Sequence, residues 1–203
     1  METSKRERVS KLLKEVEKPC VAEVKKYLEV WESKEYEKYR YQEKSVVTLF
    51  RDLYPKNTKI EEVLIKVSVL NDFYKTNIFD TFSVAQHIVK LNIDNRLSNQ
   101  DETIVDEIAK VKRFFYSFAT KYCSHHQPEE FPIYDKFVKE MLVYFKSKEK
   151  FATFKNDDLK DYSTFKTIIH QFRQFFKLEQ FSLRQLDLYL WILGRELEKS
   201  ANK

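Results

Sequence analysis

Glycine is almost missing from this chain: Gly194 is the single one in 203 residues, beside four prolines. Tight hairpins need residues that adopt positive φ or a preset turn, so a sheet of short strands has almost no turns to draw on. Lys, Glu and Leu fill the sequence instead, and the expected fold is all-α. The two cysteines, Cys20 and Cys123, lack CxxC spacing, and the N-terminus METSKRERVS is charged rather than apolar. A reduced, cytoplasmic chain without a signal peptide is expected. No apolar run approaches the roughly eighteen residues of a membrane span. GxGxxG, the P-loop, GxSxG and HExxH are all absent, so dinucleotide enzymes, NTPases, serine hydrolases and zincins lack their signatures and no cofactor is expected. His125 and His126 are adjacent and would point about 100° apart on a helix, which argues against a shared metal even with Cys123 nearby. His87 and His170 each stand alone in helical stripes.

Thirty-seven Lys and Arg against thirty-two Asp and Glu leave a net charge of +5, enough for nucleic-acid contact through local patches but not diagnostic of it. Apolar spacing predicts a helix over 4–17, a second after Pro19 through Trp31, and a third from Ser33 to Tyr54, ending at Pro55. Asn57 or Thr58 is the expected cap of the next helix, with Ile60, Val63, Leu64, Val67 and Leu70 inward. A helix over 80–91 follows, then a polar loop, NIDNRLSNQD. From Asp101 one long helix is predicted, carrying Ile104, Ile108, Val111, Phe115, Phe118 and Tyr122. Phe165, Ile168, Ile169, Phe172, Phe175 and Phe176 mark another. Ser182 caps the last, whose Leu183, Leu186, Leu190, Leu193 and Leu197 repeat at three and four; under three heptads favours packing within the chain over a coiled coil.

The segment PEEFPIYDKFV, residues 128–138, carries the most chemistry. Pro132 clears helix away and leaves Asp135 at the first turn of the next one. A carboxylate there faces unpaired amides and the positive end of the helix dipole, which hold it charged and oriented. It is either an ordinary cap or a fixed anion meant to face developing positive charge. Phe114, Phe115, Tyr116, Phe118, Tyr122, Phe131 and Tyr134 crowd around it, flanked by Lys112, Arg113, Lys121, Lys136 and Lys139. Such rings serve a core or stack an extruded base, and the cations would hold phosphates.

Residues from about 112 to 138, with the closing LDLYLWILGREL, resemble the helix-hairpin-helix DNA glycosylase superfamily, specifically the 8-oxoguanine DNA glycosylase-like proteins. FPIYDKFV is similar to that family's Pro-Val-Asp segment, with Tyr134 as one inserted residue. The resemblance covers the C-terminal half and implies a single multi-helix domain: residues 57–203 as the glycosylase-like part, residues 1–56 as an N-terminal helical extension packed on it. It implies a partner in double-stranded DNA and Asp135 as the catalytic carboxylate. A lysine that attacks C1′ of the sugar would be Lys112 or, less well aligned, Lys121. Tyr134, Phe131, Tyr116 and Trp191 become candidate base contacts, and Arg113, Lys121, Lys136 and Lys139 candidate phosphate contacts. The family's glycine-rich hairpin would fall at NRLSNQDE, which has no glycine. A catalytically silent relative that binds DNA or a protein partner is the alternative.

Overall fold

The computed structural model describes residues 15–111 and 114–202. Among these the chain is all-helical and forms a single domain, with one isolated antiparallel bridge between Lys110 and Phe114. The helix expected over 4–17 lies almost wholly outside the described residues.

Helix α1 (Val21–Trp31) follows Pro19, and a 3-10 turn (Lys34–Tyr36) leads into α2 (Glu37–Val47). That helix widens into a π turn (Thr48–Leu53) just before Pro55, which lacks the N–H to continue it. After α3 (Ile60–Tyr74), Lys75 turns left-handed at φ 51°, and the Asn71 side chain bonds both the N–H (2.9 Å) and the C=O (2.8 Å) of Ile78. Helix α4 (Thr81–Leu91) is capped by Asp80, which accepts from the Ser83 amide at 3.0 Å.

Two expectations change in the next stretch. The polar connector holds a short helix, α5 (Asp94–Ser98), where a loop was read. The long helix from Asp101 is two helices, α6 (Thr103–Ala109) and α7 (Tyr116–His126). Between them the Phe115 amide reaches back to the Ala109 carbonyl at 3.0 Å, and Phe114 stacks on Tyr116 with centroids 5.6 Å apart. Val111 and Phe115 still pack against the core from the turn, so the apolar period runs through a break it does not reveal.

Asp135 caps α8 (Lys136–Glu149), Asp161 caps α9 (Tyr162–Phe175), and Ser182 with Gln185 forms a reciprocal capping box on α10 (Leu183–Ala201). The leucines of α10 face inward, with Leu183, Leu186, Leu190 and Leu193 all buried. That helix packs against α8 and α1, so the stripe is intramolecular. Each such leucine contributes roughly 1.5–3 kcal/mol when fully buried.

Asn57 does not cap α3; Lys59 stands at that position, and its side chain makes no capping bond. Instead Asn57, 1% exposed, ties a buried knot. Its Oδ1 accepts from Lys66 Nζ and from the Tyr122 hydroxyl, each at 2.6 Å, and its Nδ2 donates to Asp94 at 2.7 Å. Lys66, fully buried, also donates to the carbonyls of Tyr54 (3.1 Å) and Lys56 (2.8 Å). Three donors meet three acceptors, which is what a buried ammonium requires.

Candidate functional site

The segment before α8 is pinned at successive residues. The Phe131 amide donates to the Gln127 carbonyl at 3.0 Å, and the Pro132 carbonyl accepts from the Tyr162 hydroxyl at 3.1 Å. The Tyr134 amide donates to Thr120 Oγ1 at 3.1 Å, while its carbonyl accepts from Ser117 Oγ at 3.0 Å. Asp135 then sits in extended backbone and accepts from the Val138 amide through Oδ1 at 2.9 Å. Among the described residues no hydrogen bond engages its Oδ2.

Ser117 also fixes the neighbouring cation: Lys121 Nζ donates to Ser117 Oγ at 2.6 Å. The Lys121 side chain is only 5% exposed and lies 5.7 Å from the Tyr74 ring centroid. One hydroxyl therefore holds both the lysine on α7 and the backbone that delivers Asp135.

Lys121 and Asp135 line the same cavity, about 460 Å³ in volume, within the roughly 300–1,000 Å³ of small-molecule sites. Trp31, Tyr39 and Trp191 contribute its rings, and Glu43, Arg184 and Asp187 its inner charges. Tyr39 and Trp191 meet edge-on at 5.4 Å, and Trp31 meets Trp191 edge-on at 6.3 Å. Arg184 bridges two carboxylates, Glu43 at 2.6 Å and Asp187. Lys38, Asp72 and Lys75 stand at the exposed rim, where Asp72 and Lys75 pair at 2.8 Å.

Burial tunes these groups. It pulls the Lys121 ammonium below the ordinary lysine range, against the opposing pull of Asp135 and Asp187. It pushes the Asp187 carboxyl up to about 7, with Arg184 opposing and Asp135 adding. His125, whose Nε2 lies 2.9 Å from the Tyr74 hydroxyl behind the cavity wall, is held well below its usual range, first by burial and then by Arg184.

Of the residues singled out from sequence, Asp135, Lys121 and Trp191 meet in the cavity. Lys121 is enclosed rather than on a phosphate-facing surface. Phe131 is fully buried and stacks on Tyr162 at 6.1 Å, a core contact. Tyr116 is buried beside Tyr134 at 4.8 Å, and neither lines the cavity. Lys136 pairs with Glu198, whereas Lys139 is half-exposed. Lys112 and Arg113 lie outside the described residues. Among those described, no cluster of three His, Cys, Asp or Glu is arranged to hold a metal ion, and no helix is long and apolar enough to cross a membrane.

The family described as HI_0787_N, an N-terminal domain, matches residues 23–130. A protein of Haemophilus influenzae, described as an uncharacterized protein, is 45% identical over 153 residues, spanning 72% of this chain and 73% of that relative. The chain belongs to the HI_0787_N family. No solved structure matches it. The HI_0787_N stretch supplies Trp31, Tyr39, Glu43, Tyr74 and Lys121, while Asp135, Arg184, Asp187 and Trp191 come from the residues after it.

Sequence reasoning missed Glu43, Arg184 and Asp187. For Asp187 a signal was present: it lies four residues after Leu183 and three before Leu190, inside the apolar stripe. A carboxylate on a buried face is there for a reason other than solubility.

Proposed function

We propose that this protein is a base-excision DNA glycosylase with lyase activity, in which Lys121 is the amine nucleophile and Asp135 the fixed anion. The observation that carries the reading is one cavity in which a buried lysine with a single side-chain partner faces a helix-capping aspartate between aromatic walls. An amine desolvated in this way is easier to deprotonate and so to use against C1′ of a flipped nucleoside. An anion at Asp135, supported by the Val138 amide and the α8 dipole, lowers the barrier to a sugar with oxocarbenium character. Trp31, Tyr39 and Trp191 offer faces and edges on which an extruded base can stack. The α6–α7 pair, joined by a turn and leading straight to the Asp135 cap, supports the resemblance to the helix-hairpin-helix glycosylases. On this reading the hairpin falls between α6 and α7 rather than at NRLSNQDE. Lys121 replaces Lys112 as the favoured nucleophile because it shares the cavity with Asp135.

Borohydride trapping on a duplex containing 8-oxoguanine tests this directly. Wild type yields a covalent adduct mapping to Lys121, Lys121→Gln yields none, and Asp135→Asn loses base release at a stability cost of about 1 kcal/mol. Absence of adduct and of base release across several lesions refutes the proposal. The silent binding module is the second reading, favoured by the Asp135–Val138 bond, which by itself accounts for an aspartate at that position. It predicts that Asp135→Asn leaves duplex binding unchanged.

A further inference from the structure

We infer that Tyr74 is the positioning residue for Lys121, its ring set against the amine and locked there by the imidazole of His125. The inference rests on the reading of Lys121 as the reactive amine and deepens it by naming what aims that amine. The pattern starts on one face of α7. Ser117, Lys121 and His125 stand four residues apart, so successive turns carry a hydroxyl, an amine and an imidazole along one stripe. Tyr74, the last residue of α3, lies across that stripe. Its hydroxyl oxygen is 2.9 Å from His125 Nε2, and its ring centroid is 5.7 Å from Lys121 Nζ and 5.6 Å from the imidazole. A single phenol therefore spans a turn of α7, with its polar end on His125 and its ring on the lysine.

Both ends of this bridge are braced. The His125 carbonyl accepts from Arg51 Nε at 3.1 Å, and the Phe50 ring packs on the imidazole with centroids 5.6 Å apart. Burial keeps the imidazole neutral and the phenol protonated, so the two share a hydrogen bond in either tautomer of the histidine. At the amine, Lys121 Nζ donates to Ser117 Oγ at 2.6 Å, and that hydroxyl donates its own hydrogen to the Tyr134 carbonyl at 3.0 Å. The ammonium is thus held by an oxygen on one side and a ring on another, inside the roughly 6 Å over which a π face attracts a cation. Beyond them lies the cavity that Lys121 shares with Asp135. Glu43 of α2, Asp135 at the cap of α8, and Arg184 and Asp187 of α10 set the charge there, and Tyr74 adds direction without adding charge. Phenylalanine would fill the same volume, and an apolar pair at 74 and 125 would avoid desolvating two polar groups. The hydroxyl contributes what neither can, a bond at the far end of the ring that fixes its orientation. An amine confined in this way meets a sugar held in the cavity from one direction.

The test uses the full-length protein and two readouts. Carbon-13 labelling of the lysine ε positions gives an NMR signal for Lys121, identified as the one lost in Lys121→Gln. In the wild type the ring current of Tyr74 shifts that signal upfield of the exposed lysines, and Tyr74→Leu returns it toward them. Single-turnover borohydride trapping on 8-oxoguanine duplex, with duplex affinity measured beside it, reports the aim. Tyr74→Phe keeps the ring and cuts its tie to His125, so trapping slows roughly 10- to 100-fold while affinity stays at the wild-type value. That split is the expected result. Loss of affinity together with trapping marks a merely structural tyrosine and overturns the inference, as does trapping at the wild-type rate. Where Tyr74→Phe fails to fold, His125→Leu cuts the same tie from the other side and is judged by the same split. An unshifted Lys121 signal in the wild type overturns the ring placement whatever happens on DNA. A shifted signal in a wild type that forms no adduct removes the glycosylase reading and keeps Tyr74 as the group that holds the amine.

Discussion

Replacing the chain's single glycine, Gly194→Ala, sets two effects of opposite sign against each other. In an exposed helix interior the change normally stabilises by about 1 kcal/mol, because glycine has more backbone freedom to lose. Here a Cβ on residue 194 would stand 2.9 Å from Phe137 Cβ and 3.3 Å from Phe137 Cα. Neither atom can swing aside, so α8 and α10 must part by about half an ångström to reach ordinary contact. Overpacking of this kind costs roughly 1–3 kcal/mol, which outweighs the propensity gain and leaves a net loss of about 1 kcal/mol. Function should suffer more than stability. Phe137 is two residues after Asp135 on α8, and Gly194 follows Asp187 and Trp191 on α10, so separating the helices draws the aspartates apart. Urea unfolding followed by circular dichroism reads the stability, and tryptophan emission reads the cavity, where both tryptophans lie. A variant more stable than wild type with unchanged emission refutes the close approach. Truncating the ring offers a sharper check: in a Phe137→Ala background the Cβ and Cα remain, so the cost of Gly194→Ala persists.

Two further outcomes concern the buried knot. Asn57→Ala leaves Lys66 and the Tyr122 hydroxyl each short of an acceptor, and should destabilise by about 3 kcal/mol in urea titration; a loss under about 0.5 kcal/mol would show that the knot contributes nothing. Lys66 is pulled down to about 8 by burial, with Asp94 and Glu62 opposing. The unfolded amine keeps its proton to about pH 10.4, so between the two values the unfolded state holds more protons. Stability should therefore rise with pH by up to about 1.4 kcal/mol per unit above pH 8, and fall back as pH drops through 8. Comparing wild type with Lys66→Met isolates the slope, and parallel pH curves would contradict it.

Much of this architecture is written in local signals. Pro132 and the DKFV start predict the Asp135 cap, Ser182 predicts another, and the α10 leucines predict which face is buried. The 110–115 break escaped because Val111 and Phe115 stay on the core through the turn, and periodicity records which residues are buried rather than whether the backbone between them is helical. Asn57 escaped for a related reason. Its sequence context fits a cap, but its partners are Asp94 and Tyr122, distant along the chain. The cavity depends on such distant pairings throughout: Arg184 reaches Glu43 across 141 positions, a meeting no local pattern contains.

Lys66 and Lys121, the two lysines buried among the described residues, show why position in an apolar stripe is a better guide to chemistry than lysine content. Lys66 lies between Val63, Val67 and Leu70, and Lys121 between Phe118 and Tyr122; both interrupt faces that are otherwise core. Lys66 is matched by three oxygens and opens onto nothing, so its ammonium is a tie between α3 and the chain before it. Lys121 has the Ser117 hydroxyl at 2.6 Å, a longer reach to the Ser117 carbonyl at 3.4 Å, and then the cavity. An ammonium short of partners in an enclosed space is costly to keep, and a chain that gains only stability from the site would do better with methionine. Retaining the lysine there makes sense where the missing partner is brought by a ligand, and that is the physical ground for treating Lys121 as the reactive one.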